Sequence, residues 1–311
     1  MGSGPLLGRF DRPTADSRTR IALLADLHLS TSATGTWRVS HRTAERLERA
    51  VESINGADLD AVVFVGDLVQ RGAREEYEAL DRLLAEIEPP LLAVPGNHDL
   101  FAGESEPKLS LGEFERRYTP GSLPFHERIG GVDLVGLSSN ASTPGSLTDS
   151  YMGRLSESTL DWLADRLSDI EDPLVAVHHD LPGSRSFLFE AAEAFPVDAA
   201  SPVFENADTL VSVLRDAPGD PLVCTGHVHF PSVTRTRGVR EFTLPALGPY
   251  PASYTVLEID PSGTTARLVP VADHGRRLEA LESGLENARV LLAAAQLAGL
   301  PLTDGCRGDG P

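Results

Sequence analysis

Cysteine and lysine are the scarcest informative residues of this 311-residue chain, with two of the first and one, Lys108, of the second. Cys224 lies inside an apolar run that reads as a core strand, and Cys306 is far from it in sequence. Two such cysteines exclude a disulfide framework and make a reducing cytoplasm the simpler compartment. With 46 acidic against 27 basic residues the net charge is −19, and nearly all the positive charge is arginine. Nonspecific nucleic-acid binding depends on neutralising phosphates with Lys and Arg, so the charge argues against that partner. An acidic, lysine-poor surface instead suits concentrated salt, where a Debye length of about 3 Å at 1 M screens self-repulsion. A GC-rich genome gives the same scarcity.

Long apolar runs are missing too. No stretch approaches the ~18 residues of a membrane span. The N-terminus, MGSGPLLGRFDRP, has no apolar leader segment, and Leu6 breaks a myristoylation match. There is no internal repeat or low-complexity tract. These absences predict a soluble protein with no membrane partner.

What is present is alternation. Short apolar runs bounded by turn residues, 21–25, 61–65, 91–94, 132–137, 174–177 and 222–225, read as buried strands. Between them Leu47, Val51 and Ile54 share one helix face, as do Tyr77, Leu80, Leu84 and Ile87, and Leu160, Leu163, Leu167 and Ile170. This is the pattern of an α/β fold. After residue 230 β-rich runs take over (EFTLPAL, SYTVLEI, TTARLVPV), predicting a second sheet packed on the first. Residues 1–19 are polar and rich in Pro and Gly and are expected to be a flexible extension, with the main domain over 20–272. Residues 273–311 read as one amphipathic helix, docked on the body or on a second subunit, followed by a loose tail.

The strands end in a recurring way. LADLHLS places Asp26 and His28 after the first, VFVGDLVQRG places Gly66 and Asp67 after the second, and VPGNHDL places Asn97 and His98 after the third. VAVHHDLP adds His178 and His179, and VCTGHVHF adds His227 and His229. One such end is an ordinary turn, because Pro, Gly, Asn and Asp favour turns. Five together place ligand-type residues at the C-terminal ends of successive apolar strands, where open α/β sheets hold their sites. Residues two apart in an extended segment point to the same side, so Asp26 and His28 can reach one ion, as can His227 and His229. Nitrogen and oxygen donors without thiolate suit Mn, Fe, Zn or Co.

The ordered set D-x-H, GD-x-x-x-x-G, GNHD, H and GH-x-H resembles the calcineurin-like metallophosphoesterases over roughly residues 20–270. The resemblance implies a four-layer αββα sandwich of two packed mixed sheets flanked by helices. It implies two divalent metal ions, Mn2+ favoured, with Asp26, His28, Asp67 and His229 as ligands of one and Asp67, Asn97, His178 and His227 as ligands of the other. Asp67 would bridge. A hydroxide held between the ions would attack phosphorus in line, and His98 and Arg71, with Asp67, form the implied catalytic set. The helices AERLERAVESIN and EYEALDRLLAEI resemble bacterial class III cyclic-nucleotide phosphodiesterases and their glycerophosphodiesterase relatives, implying a small phosphoester substrate. A phosphomonoesterase and a repair-type nuclease are the alternative activities, and a noncatalytic scaffold is disfavoured by the intact ligand set.

Two departures stand out. Gln70 replaces an acid that in the family can orient the GNHD histidine, and Asp180 follows His178 and His179 where the family has proline. His179 is expected at the rim or in packing rather than on a metal. Apart from the metals, only Arg71 and His98 would offer positive charge to a phosphate, so a monoanionic diester is expected to be preferred over a dianionic monoester. Residues 184–204 carry Phe187, Phe189, Phe195 and Phe204, which would form an aromatic lip, a homodimer contact or plain core.

Overall fold

A computed structural model describes residues 4–32, 36–100, 109–140, 152–194 and 203–303. Along them run β1 (Leu6–Phe10), β2 (Thr19–Leu24), α1 (Thr43–Asn55), β3 (Ala61–Val65), α2 (Arg74–Leu84), β4 (Leu91–Val94), α3 (Leu111–Tyr118), β5 (Phe125–Ile129) and β6 (Val132–Gly136). There follow α4 (Glu157–Leu167), β7 (Leu174–Ala176), α5 (Pro182–Ala194), α6 (Ala207–Arg215), β8 (Leu222–Thr225), β9 (Ser232–Thr236) and β10 (Val239–Thr243). The described chain closes with β11 (Ser253–Asp260), β12 (Gly263–Pro270), α7 (His274–Ser283) and α8 (Ala288–Ala298).

The continuous apolar runs become the central strands. β2, β3 and β4 pair in parallel, as do β6, β7 and β8, and strands of that kind are buried on both faces. They lie in two six-stranded mixed sheets, ordered β1-β12-β11-β2-β3-β4 and β5-β6-β7-β8-β10-β9. Because side chains alternate across a strand, Ile21, Leu23, Val63 and Val65 face Leu134, Leu174, Leu222 and Phe242 of the other sheet in a common core. Ala22, Leu24, Val62 and Phe64 face outward beneath Leu47, Val51 and Ile54 of α1 and Tyr77, Leu80 and Leu84 of α2. On the far side Val135, Val175 and Val223 lie beneath Leu160, Leu163 and Leu167 of α4 and Leu210, Val211 and Leu214 of α6. The layers are therefore helix, sheet, sheet, helix. Each fully buried Leu, Ile, Val or Phe contributes roughly 1.5–3 kcal/mol.

Three expectations change. Residues 4–19 are not a free extension, since β1 pairs antiparallel with β12 and both Leu7 and Phe10 are buried in the inter-sheet core. The C-terminal strands do not make the second sheet by themselves. β11 pairs with β2, so β11 and β12 complete the first sheet, while β9 and β10 extend a second sheet centred on β6–β8. The predicted single C-terminal helix is two. α7 stops at Gly284, whose Cα packs against Val290, and α8 restarts after Asn287, whose side chain accepts a hydrogen bond from the Arg289 amide. α8 docks on the body through Val290, Leu292 and Ala293, which cluster with Val228 and Phe230.

Of the four phenylalanines in 184–204 and beside it, Phe204 is buried, Phe187 packs on Phe230 with ring centroids 6.0 Å apart, and Phe189 is 45% exposed. Phe195 lies outside the described residues, as do Lys108 and Cys306. No helix among the described residues is long and apolar enough to cross a membrane.

Candidate metal centre

The loops that leave β2, β3, β4, β7 and β8 are tied to one another by their backbones. The Asp26 amide donates to the Gly66 carbonyl at 3.1 Å and the His28 amide to the Asp67 carbonyl at 2.9 Å, so the first two loops run as a ladder beyond their strands. The Gly226 amide donates to the His178 carbonyl at 3.0 Å, which joins the last two. The His227 amide donates to Asp26 Oδ1 at 3.0 Å and connects the two sheets. Gly66, at φ 81°, has the His178 ring where a side chain would stand, and Asp67 occupies the same space beside Gly96. Larger residues there would push the ligands apart.

Asp26, His28, Asp67, His227 and His229 all have positive φ, and they make up five of the nine non-glycine residues so placed among those described. The left-handed region is sparsely populated outside glycine, although Asp and His enter it more readily than most. Its concentration at strand ends marks a constellation held against local preference.

The side chains converge in two groups. Donor atoms of Asp26, His28, Asp67 and His229 all lie within 4.8 Å of one another, and so do those of Asp67, His178 and His227. Asp67 belongs to both. Asn97 joins the second group, its Oδ1 lying 3.2 Å from His178 Nε2 and 3.0 Å from His227 Nδ1. All seven residues are buried.

The chemistry of the set fits two cations. Asp26 Oδ2 is buried with no hydrogen-bond partner, which is costly for a carboxylate unless a positive charge faces it. Nε2 of His28 and Nε2 of His229 face each other at 3.1 Å. Burial, with Arg38, His98 and His229 adding to it against Asp67, holds His28 well below the usual imidazole range. Burial likewise lowers His229, aided by Arg289 and Arg38 against Asp26. Two neutral imidazoles with converging nitrogens make good ligands. Burial, reinforced by His179 and His178, also keeps His227 well below its ordinary value. Asp67 behaves oppositely: burial opposes its ionisation, but His178 and His98 outweigh it and hold the carboxyl well below the usual range. Its partner His178 resists burial and is raised to about 9 by Asp67. His178 Nδ1 donates to the Val65 carbonyl at 3.0 Å, which directs Nε2 toward Asp67 and Asn97.

His98 is half-buried beside this group. Its amide donates to Asp67 Oδ1 at 2.9 Å, and its Nδ1 donates to the Gln70 backbone carbonyl at 2.7 Å. Gln70 thus orients the histidine through its main chain. Arg71, next to Gln70 in the chain, is partly exposed and pairs with Glu76. Its Nε lies 3.3 Å from the buried Glu76 carboxylate, which also accepts from the Arg71 amide. His179 is fully buried and lies in packing rather than at a rim, with Nδ1 2.7 Å from Ser139 Oγ and its ring against His227. Asp180 is buried too, paired with Arg185 at 3.1 Å.

Several supporting residues are not among the candidate ligands. Asp99 accepts from the Val69 and Gly96 amides at 3.0 and 2.8 Å, clamping the loop that carries Asn97. Burial and the nearby Asp67 push Asp99 up to about 7. Asn140 donates to the Pro95 and Gly96 carbonyls from the other sheet. A cavity of about 330 Å3 opens over Asp67, Asn97, His98, His227 and His229, and its wall includes Gln70 and two arginines, Arg38 and Arg289. Arg38 lies over the Trp37 ring, which in turn lies 5.3 Å from His229.

Comparison with known proteins places this arrangement. Residues 19–231 match the family model described as calcineurin-like phosphoesterase. The chain is 31% identical over 192 residues to the glycerophosphodiester phosphodiesterase GpdQ of Enterobacter lignolyticus, a match covering 60% of this chain and 62% of that protein. It is 29% identical over 213 residues to a 3',5'-cyclic-nucleotide phosphodiesterase of Nostoc sp., covering 67% and 71%. Among solved structures, a dimetal phosphatase from Danio rerio superimposes with a TM-score of 0.60 at 16% identity, over 82% of this chain and 97% of that one, and shares the fold.

Proposed function

Because the chain belongs to the calcineurin-like phosphoesterase family, we propose that it is a binuclear-metal-dependent enzyme that hydrolyses a small phosphodiester, such as a cyclic nucleotide or a glycerophosphodiester. The observation that carries this reading is the membership of Asp67 in two adjoining donor groups beneath one cavity. The names of the two curated relatives support the diester class.

In this reading Asp26, His28, Asp67 and His229 hold one ion and Asp67, Asn97, His178 and His227 the other. Manganese is our first assignment, and iron, zinc and cobalt suit the same donors. Two bound cations would supply charge stabilisation at the phosphoryl oxygens and lower the pKa of water enough to furnish a nucleophile near neutral pH. The chain's own residues do the rest. Asp67 sets the spacing of the two donor groups while its Oδ1 fixes the His98 backbone. His98, anchored through Nδ1, lines the cavity, where a proton held on its other ring nitrogen would serve a phosphoryl or leaving-group oxygen. The ligands themselves are buried, which limits the access of water to them.

A second reading has its own observation. The cavity wall contains Arg38 and Arg289, so the positive charge available to a phosphate exceeds what the motifs alone offered, and a dianionic phosphomonoester becomes the competitor. The test is kcat/KM for bis(p-nitrophenyl) phosphate and p-nitrophenyl phosphate with Mn2+ in excess. The diester is expected to be the better substrate. A monoester advantage of about tenfold or more, roughly 1.4 kcal/mol of transition-state stabilisation, replaces the diesterase reading with a phosphatase.

A further inference from the structure

We propose that the C-terminal helix α8 is part of the substrate site, and that Arg289 on its first turn, together with Arg38, binds the anionic oxygens of the ester and sets how much negative charge a substrate can carry. The inference rests on the phosphoesterase reading and names two residues which that reading does not require.

The family match ends at residue 231, whereas α8 spans Ala288–Ala298, so Arg289 is brought to the cavity by a segment outside the matched region. Arg289 is only 7% exposed, yet it lines the same cavity as Asp67, Asn97 and His227. Its backbone is fixed, because the Arg289 amide donates to Asn287 Oδ1 at 3.0 Å at the helix N-cap.

A single apolar cluster explains why the two arginines reach the metal-ligand loops. Val39 follows Arg38, Val228 separates His227 from His229, Phe230 ends the same loop, and Val290 follows Arg289; all four are buried together. Docking α8 on that cluster therefore delivers Arg289 at the ligands in the same step that orders the Arg38 loop. Guanidinium is the group suited to this place, because its planar fork of donors matches the oxygens of a phosphate and it keeps its charge when desolvated.

The variants Arg289→Gln, Arg289→Lys and Arg38→Gln test the assignment, with Arg276→Gln, which pairs with Glu279 on the surface, as a charge control. In the Mn2+-loaded enzyme Arg289→Gln is expected to raise KM about tenfold, the scale of one charge-assisted contact, with a larger loss for the monoester than for the diester and with kcat nearly kept. Arg289→Lys should recover only part of the binding, because an ammonium restores the charge without the planar fork of donors, a graded rescue that a purely structural role would not predict. The metal-free protein gives a second readout: after chelation, inorganic phosphate should raise the Tm of wild type and of Arg276→Gln, but not that of Arg289→Gln. Equal KM values and equal phosphate shifts in wild type and Arg289→Gln overturn the proposal. Should the loaded wild type hydrolyse neither ester, the phosphoesterase reading falls, and the phosphate shift alone then decides the role of Arg289.

Discussion

The Nδ1 atom of His98 lies 2.7 Å from the backbone carbonyl of Gln70, so the main chain, not the side chain, holds the imidazole in place. The Gln70 backbone is itself held, its amide donating to the Leu29 carbonyl at 2.9 Å. Gln70→Ala should therefore keep kcat/KM within about threefold, whereas His98→Ala should lose on the order of 10²–10⁴, the usual worth of a general acid or base. Comparable losses in the two variants would mean that the Gln70 amide acts in the reaction.

Asp67 and Asn97 should differ in the same assay for a different reason. Asp67 stands in both donor groups and Asn97 in one, so Asp67→Asn should lower metal content and turnover further than Asn97→Ala. Elemental analysis of the purified variants checks this. Two full equivalents of metal with wild-type turnover in Asp67→Asn would remove Asp67 from its bridging position.

Glu241 sits in the second sheet with no solvent contact, accepting from the Leu181 amide and from the hydroxyls of Thr225, Ser184 and Thr234. Burial, helped by Asp180, raises its carboxyl from the ordinary 4.5 to about 7. A folded-state value above the unfolded one means that this group favours the native state fully below pH 4.5 and loses that contribution as pH rises through about 7. Glu241→Gln lacks the titration. The Tm of wild type should thus fall by several degrees relative to Glu241→Gln between about pH 5 and pH 8, at fixed salt. A constant difference across that range would unlink Glu241 from stability.

The charge of −19 should make folding respond to salt. Screening relieves net self-repulsion, and thermal unfolding is expected to move upward between about 0.1 M and 2 M KCl, beyond the range in which ordinary surface charges are already screened. The surface Arg–carboxylate pairs, such as Arg18 with Asp58, work weakly the other way, since exposed pairs contribute about 0–1 kcal/mol each. A flat Tm would trace the missing lysines to genome composition.

How much of this was legible in the sequence depends on the range of the interaction. β3, β4 and β8 could be read to the residue, because a parallel strand buried on both faces leaves an unbroken apolar run that ends abruptly in polar ligands. β1 escaped because it is an edge strand, LLGRF, whose glycine and exposed arginine hide the pattern. The sheet membership of β11 could not be read at all, since its partner β2 lies more than two hundred residues earlier and no periodicity records that pairing. The site divided in the same way. The seven donor residues sit at strand ends, where local pattern and position coincide. Arg38 and Arg289 are single arginines on a loop and a helix, and the residues that follow them, Val39 and Val290, pack in the apolar cluster around Val228, a long-range contact that no local pattern records. The partner of Arg71 was local and still not announced by its motif: Glu76, buried at the start of α2, meets the guanidinium.

One contact joins the far ends of the described chain. The Leu302 amide donates to the Leu7 carbonyl at 2.6 Å, and both side chains enter the inter-sheet core. In topological terms the fold is nearly a closed loop, so the order in which its segments are made is separable from the shape they adopt. A short linker bridging the two ends, with a new opening at a surface turn such as Gly121, around which no heavy atom would crowd an added side chain, would give a circular permutant with the same twelve-strand framework. Such a permutant would place the segment bearing Arg289 upstream of the strands that carry Asp26 and Asp67, and could show whether the helix must be made last in order to dock.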